Sequence, residues 1–251
     1  MWFAGRIRPV LAGVVPDSVH FTHQRFARTG WDARLAGRRV EAVDTRGKHL
    51  FVRFDGELVI HSHLGMHGSW TVRAVGTRSR RPDRRAWLVM RAGDREVVQF
   101  DGSVLELMTA ARLRTDPRLR LGPDILAAGG VDEQAFLARL RAGDPRRPIG
   151  DALLDQRVLA GIGNIWKSEG CWEAETDPWR PVEAVSDDAL RQLLARVRPR
   201  MLVSGTDGPR AVRPRVYGLA GRPCPRCGGQ IRSRLLGDGA RTTYWCGGCQ
   251  R

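Results

Sequence analysis

The hydrophobic and polar positions divide the chain into a β-rich stretch and a helical stretch. From about Arg38 to about Leu107 the apolar runs are short and punctuated by turn residues. His49-Leu50-Phe51-Val52-Arg53-Phe54 meets Asp55-Gly56 and then Glu57-Leu58-Val59-Ile60, which reads as a hairpin closed by an Asp-Gly turn. Ala86-Trp87-Leu88-Val89-Met90, Ala92-Gly93-Asp94 and Val97-Val98-Gln99-Phe100 read as a second hairpin. Short strands at this spacing predict a β-sandwich. Arg78 to Arg85 forms a basic, proline-containing loop between the hairpins.

Beyond this stretch the apolar period lengthens to that of helices. Asp132 is placed to cap a helix over Glu133 to Leu140. A second helix is predicted from about Ile149 to Leu159, with Leu153, Leu154 and Val158 on one face, ending at Gly161-Ile162-Gly163. Asn164 opens a third, through Trp172, and Ser186 caps a fourth from Asp187 to about Val197 with Leu190, Leu193, Leu194 and Val197 inward. The polar linker Ser204 to Pro214 follows. The glycines before Asn164 permit close backbone approach, and an asparagine at a helix start can donate to a phosphate oxygen. Taken alone, the same turn also reads as a helix end followed by a cap.

The linker leads to four cysteines, Cys224 and Cys227 in C-P-R-C and Cys246 and Cys249 in C-G-G-C, with eighteen residues between the pairs. Two such turns joined by a hairpin bring four thiolates to the corners of a tetrahedron, the arrangement of one closed structural zinc site. Gly237-Asp238-Gly239 supplies the hairpin's turn and Thr242 to Trp245 its returning strand. The competing reading is two disulfides, which a reducing cytoplasm disfavours. Cys171, in a helical stretch, reads as a lone buried thiol.

Composition sharpens the picture. The 251 residues, 42% hydrophobic with eight tryptophans, are enough for two domains and a small module, and no run of eighteen apolar residues predicts a membrane span. The formal charge is +15, and from Arg210 onward nine arginines face one acid, Asp238. That balance around the cysteines points to a phosphate backbone as partner, although an arginine-rich composition could produce it too. Of 42 basic residues only Lys48 and Lys167 are lysines, a hint that a compact ammonium is wanted there. Lys48 follows a Gly turn, where its tip can reach a ligand. Lys167 is expected on a helix surface.

The segment Leu153-Leu154-Asp155-Gln156-Arg157-Val158-Leu159-Ala160-Gly161-Ile162-Gly163-Asn164-Ile165-Trp166-Lys167-Ser168-Glu169 resembles the helix–two-turn–helix motif of the formamidopyrimidine-DNA glycosylase/endonuclease VIII family. Val216-Tyr217-Gly218 with Gly221-Arg222-Pro223-Cys224, and Arg241 to Gln250, resemble its zinc finger. Gly47-Lys48-His49 and His63-Leu64-Gly65-Met66-His67-Gly68 resemble segments of its N-terminal sandwich. The resemblance implies an α+β multidomain protein with an N-terminal helix and β-sandwich over residues 1–115, a helix–two-turn–helix DNA-binding domain over 116–205, and a linker and zinc-finger β-hairpin over 206–251. It implies a bacterial, cytoplasmic, monomeric base-excision-repair enzyme that removes oxidised bases and cuts the backbone by β,δ-elimination. Damaged or abasic-site DNA is its partner. Lys48, Asn164 and Arg241 match the family's phosphate-binding positions, and Met66 matches a residue that wedges into the gap left by the flipped base. Glu169 matches an acidic position of the motif and reads equally as a salt-bridged helix carboxylate.

Two departures stand out. The family's R-x-F-G wedge stretch corresponds to Phe100-Asp101-Gly102-Ser103-Val104-Leu105, which has neither the arginine nor the aromatic. The short Gly205 to Val216 linker and Tyr244-Trp245-Cys246 favour the endonuclease VIII branch and hence oxidised pyrimidines. The family's nucleophile is an N-terminal proline followed by a glutamate, whereas this sequence begins Met1-Trp2-Phe3-Ala4-Gly5. No catalytic residue is therefore assigned by the resemblance, and Lys48 is the one conceivable amine. The expectation is a start site upstream that restores Pro-Glu-Gly. The alternative is a catalytically impaired binder of lesions or abasic sites.

Overall fold

The β-rich stretch folds as two antiparallel four-stranded sheets. In the computed structural model, which describes residues 1–78, 81–237 and 239–251, the chain forms two units, Met1–Leu119 and Arg120–Arg251. Ser79 and Arg80 of the basic loop, and Asp238 of the expected hairpin turn, lie outside the described residues.

The first unit opens with α1 (Trp2–Leu11), whose buried Ala4, Ile7 and Leu11 recur at helical spacing. β1 (Ser18–His20) and the short α2 (Trp31–Leu35) follow. The remaining strands are β2 (Val40–Arg46), β3 (His49–Phe54), β4 (Leu58–His63), β5 (Ser69–Ala74), β6 (Ala86–Ala92), β7 (Arg95–Phe100) and β8 (Val104–Thr109), closed by α3 (Ala110–Thr115). One sheet has the order β1-β6-β7-β5 and the other β2-β3-β4-β8. Both predicted hairpins are present in register, with Phe54 opposite Leu58 and Ala92 opposite Arg95. Leu50, Val52, Phe54 and Ile60 of one sheet share a core with Trp70, Leu88, Met90 and Val97 of the other. The intervening Phe51 and Val59 point to the opposite face and pack with Met108 and Leu119. That double burial explains why β3 reads as a nearly continuous apolar run rather than an alternating one.

The second unit contains α4 (Glu133–Arg141), α5 (Ile149–Ala152), α6 (Asn164–Glu173), α7 (Asp187–Asp207) and a hairpin of β9 (Ile231–Leu236) and β10 (Arg241–Cys246). The caps follow the sequence: Asp132 accepts from the Ala135 amide and Ser186 from the Ala189 amide. Two helix lengths differ from expectation. The predicted helix over Ile149 to Leu159 stops at Ala152. Asp155 accepts instead from the amide of Arg157, and Gln156 uses its side chain to bond the Leu154 and Ile162 carbonyls and the Gly161 amide. These local bonds compete with helix and fold the segment into two turns. Conversely, α7 runs ten residues past Val197, through Pro199. Pro199 and Ala195 are exposed, so the carbonyl deprived of its partner meets water. Gly170 lets α6 approach α7, since a Cβ there would lie 3.4 Å from Leu193 and Val197. No helix among the described residues is long and apolar enough to cross a membrane.

Candidate metal centre and nucleic-acid interface

The two Cys-x-x-Cys turns bring Cys224, Cys227, Cys246 and Cys249 together, with all four sulfurs within 4.8 Å of one another. The Sγ separations are 3.8 Å for Cys224 and Cys249 and 3.5 Å for Cys227 and Cys246. A tetrahedron with metal–sulfur bonds of about 2.3 Å has edges of about 3.8 Å, whereas a disulfide is about 2.05 Å long. The set therefore fits a metal ion. Backbone N–H groups of Arg226 and Cys227 point at Cys224 Sγ, and those of Gly248 and Cys249 at Cys246 Sγ. The Trp172 indole N–H also donates to Cys224 Sγ, at 3.3 Å. Donors aimed at sulfur stabilise thiolates, the ligating form.

The hairpin is docked on α6. Trp172 packs with Val216, Cys224, Ile231 and Cys246. Glu169, 1% exposed, accepts from the backbone amides of Arg215, Val216 and Tyr217 and from the Arg200 guanidinium at 2.9 Å. It pins the segment leading into the hairpin to the helix, which makes it more than a surface ion pair. At the other end of α6, Asn164 Nδ2 donates to the Thr242 carbonyl at 2.8 Å. Its Oδ1 is buried without a partner in the structure. Arg241, exposed, is the residue before Thr242. One hydrogen bond thus ties Asn164 to the backbone of the residue that follows Arg241.

Lys167 is not on the surface. It is fully buried, and its ammonium donates to Thr243 Oγ1. Residues 167–172 are all buried because α6 is covered by α7 on one side and by the hairpin on the other, so amphipathic reasoning has no solvent face to find. Burial lowers the Lys167 pKa to about 8, with Cys171 and Asp151 opposing. Cys171 is the expected buried thiol, and burial pushes it up to about 12.

In the first unit Lys48 is exposed at the β2–β3 turn, after Gly47 with φ of +56°. Beside it stands a group that sequence reading passed over. His49, His61 and His63 line one face of β3 and β4, with His49 Nδ1 2.8 Å from His61 Nε2. His61 Nδ1 is buried and unpartnered. A proton on Nε2 leaves only a lone pair unsatisfied, the less costly arrangement. Burial, followed by the neighbouring imidazoles and Lys48, lowers His49 to about 3. Burial likewise lowers His61 to about 4. The alternation His61, His63 on one strand was the available signal. Met66, 81% exposed, tips the following loop, where Gly68 is required because a Cβ would lie 2.5 Å from the Leu64 carbonyl oxygen.

Residues 3–113 match the formamidopyrimidine-DNA glycosylase N-terminal domain, and residues 121–205 match the formamidopyrimidine-DNA glycosylase H2TH domain. Over 257 residues the chain is 43% identical to a probable endonuclease 8 2 of Streptomyces coelicolor, covering 98% of this chain and 90% of that protein. It is 39% identical over 223 residues to a DNA-(apurinic or apyrimidinic site) lyase of Mycolicibacterium smegmatis, covering 86% and 84%. The fold is similar to that of Lactococcus lactis formamidopyrimidine-DNA glycosylase in complex with DNA containing an abasic site. That likeness has a TM-score of 0.84 at 22% identity over 99% of this chain and 97% of that one.

Proposed function

The chain belongs to the formamidopyrimidine-DNA glycosylase/endonuclease VIII family, and from that premise we propose that it acts in base-excision repair as a DNA glycosylase and abasic-site lyase. Oxidised bases, pyrimidines above all, are the substrates, damaged or abasic-site DNA is the partner, and the protein works as a monomer. Relatives named endonuclease 8 and DNA-(apurinic or apyrimidinic site) lyase support the activity.

The observation that supports the reading is the Asn164–Thr242 hydrogen bond, which ties a helix-start amide to the residue after Arg241. A neutral donor at a helix N-terminus and an adjacent guanidinium suit one phosphate group. In the first unit, Lys48 is read as a separate phosphate-binding cation and Met66 as the apolar wedge for the space a flipped base vacates, offsetting part of an unstacking cost of a few kcal/mol. The metal is one zinc ion. Cys224, Cys227, Cys246 and Cys249 would hold it, and four thiolates would leave no open position for water, so it would serve to hold the hairpin that carries Arg241.

Lyase chemistry requires an amine that adds to C1′ of the ring-opened sugar and loses water as an iminium, followed by removal of a C2′ proton and departure of the 3′ phosphate. Lys48 is assigned to phosphate binding rather than to this step. The test is binding and nicking of a duplex with a single abasic site against an intact duplex of the same sequence. Preferential binding and nicking at the site is expected. Equal affinity for the two duplexes would overturn the reading.

A further inference from the structure

Asp101 lies between β7 and β8 with φ of +51°, a left-handed conformation that costs a non-glycine residue energy. The segment is held there from inside: buried Gln99 donates its side-chain amide to the Asp101 carbonyl. The strained backbone aims the carboxylate at two guanidinium groups from another loop. Asp101 Oδ2 is 2.9 Å from Arg81 Nη1 and 2.7 Å from Arg85 Nη2. The same Arg81 nitrogen donates to the carbonyl of His67 at 2.7 Å, the residue after Met66. Two positions on, Ser103 Oγ is 2.7 Å from His63 Nδ1, and the Ser103 amide donates to the His63 carbonyl. Both ends of the His63 to Gly68 loop are thereby tied to the segment around Asp101, while Met66 itself stays 81% exposed.

We propose that Asp101 is a positioning residue for Met66, acting through Arg81 to fix the loop that presents it. The inference rests on the reading of Met66 as the wedge. A wedge must enter a stack without losing its direction, and a loop ordered in advance does not spend binding free energy on ordering. One carboxylate shared by two guanidiniums also leaves positive charge at the rim of the wedge, where phosphates approach.

The test uses the full chain and a duplex carrying a tetrahydrofuran abasic analogue with 2-aminopurine stacked beside it. Emission at saturating protein reports the stack, and anisotropy reports affinity separately. Asp101→Asn keeps shape and tolerates positive φ but removes the charge. Its emission change at saturation should fall by at least half, toward that of Met66→Ala. Arg81→Ala should match it, Arg81→Lys should recover part of it, and Asp101→Asn should add nothing to Met66→Ala. Asn164→Ala should weaken affinity and leave the saturated signal intact. A merely structural Asp101 would lower the melting temperature and leave that signal unchanged. A full signal from Asp101→Asn, with Met66→Ala reduced, overturns the brace alone. An unchanged signal from Met66→Ala overturns the wedge reading, and the brace with it.

Discussion

Lys167 shows at the scale of one residue how a sequence cue can be right in kind and wrong in place. It is one of two lysines in an arginine-rich chain, and it is fully buried with its compact ammonium bonded to Thr243, a place that a planar guanidinium would not fill in the same way. Burial lowers its pKa from 10.5 to about 8. The sign follows from proton binding. Between pH 8 and 10.5 the unfolded chain holds this proton while the folded chain has released it, so stability rises with pH across that window. Below pH 8 the folded protein carries a penalty of up to about 3 kcal/mol. Lys167→Met should lift the penalty at pH 7, since Thr243 Oγ1 keeps its bond to the Arg241 carbonyl. Urea unfolding at pH 7, 8.5 and 10 checks it: the advantage of the variant should shrink as pH rises, and a constant advantage would refute the account.

At the scale of elements, two local assemblies make opposite demands on protons. His49 and His61 stay neutral in the folded sheet well below the pH at which free histidine protonates. As pH falls from about 6.5 the unfolded chain takes up protons that the folded chain refuses, so stability is lost toward about pH 4. Melting temperatures of the parent and of His61→Gln at pH 7 and pH 5 test this, with the smaller loss expected in the variant. The hairpin's four thiols would instead have to give up their protons to hold the proposed metal. One zinc per chain is expected by elemental analysis. Cys246→Ser should lose it together with the bonds that hold Arg241, and finding disulfides in place of metal would remove the claim. These elements were unequally legible. Asp55-Gly56, the Asp132 and Ser186 caps and the two Cys-x-x-Cys turns act through their nearest neighbours, so local sequence suffices to find them. The early end of α5 depends on Gln156 reaching Ile162. The imidazole cluster depends on strand register, and the burial of Lys167 depends on two partners docking on one helix. Side-chain reach across a turn, strand register and docking leave no periodic trace.

For the whole molecule the dominant quantity is charge. A formal +15 in 251 residues makes association with any polyanion favourable and dependent on salt, so affinity alone cannot separate a repair site from a basic surface. Two neighbouring contacts can. If Arg241 contacts a phosphate as proposed, that contact displaces a condensed counterion, and Arg241→Ala should flatten the plot of log K against log salt by about one unit. Asn164 offers a neutral amide. Asn164→Ala should weaken abasic-site binding by about tenfold, the worth of one hydrogen bond to a charged oxygen, and leave the salt slope as it was. Because Asn164 also bonds the carbonyl of Thr242, the residue after Arg241, the two sites are near enough to couple, and the double variant should fall short of the sum of the two. Titrations of abasic-site duplex at four salt concentrations measure all three quantities. Slopes and affinities equal to those of the parent in both single variants would show that the phosphate is bound elsewhere on the chain. A reduced slope in Asn164→Ala as large as that in Arg241→Ala would show instead that the amide serves only to hold the arginine in place.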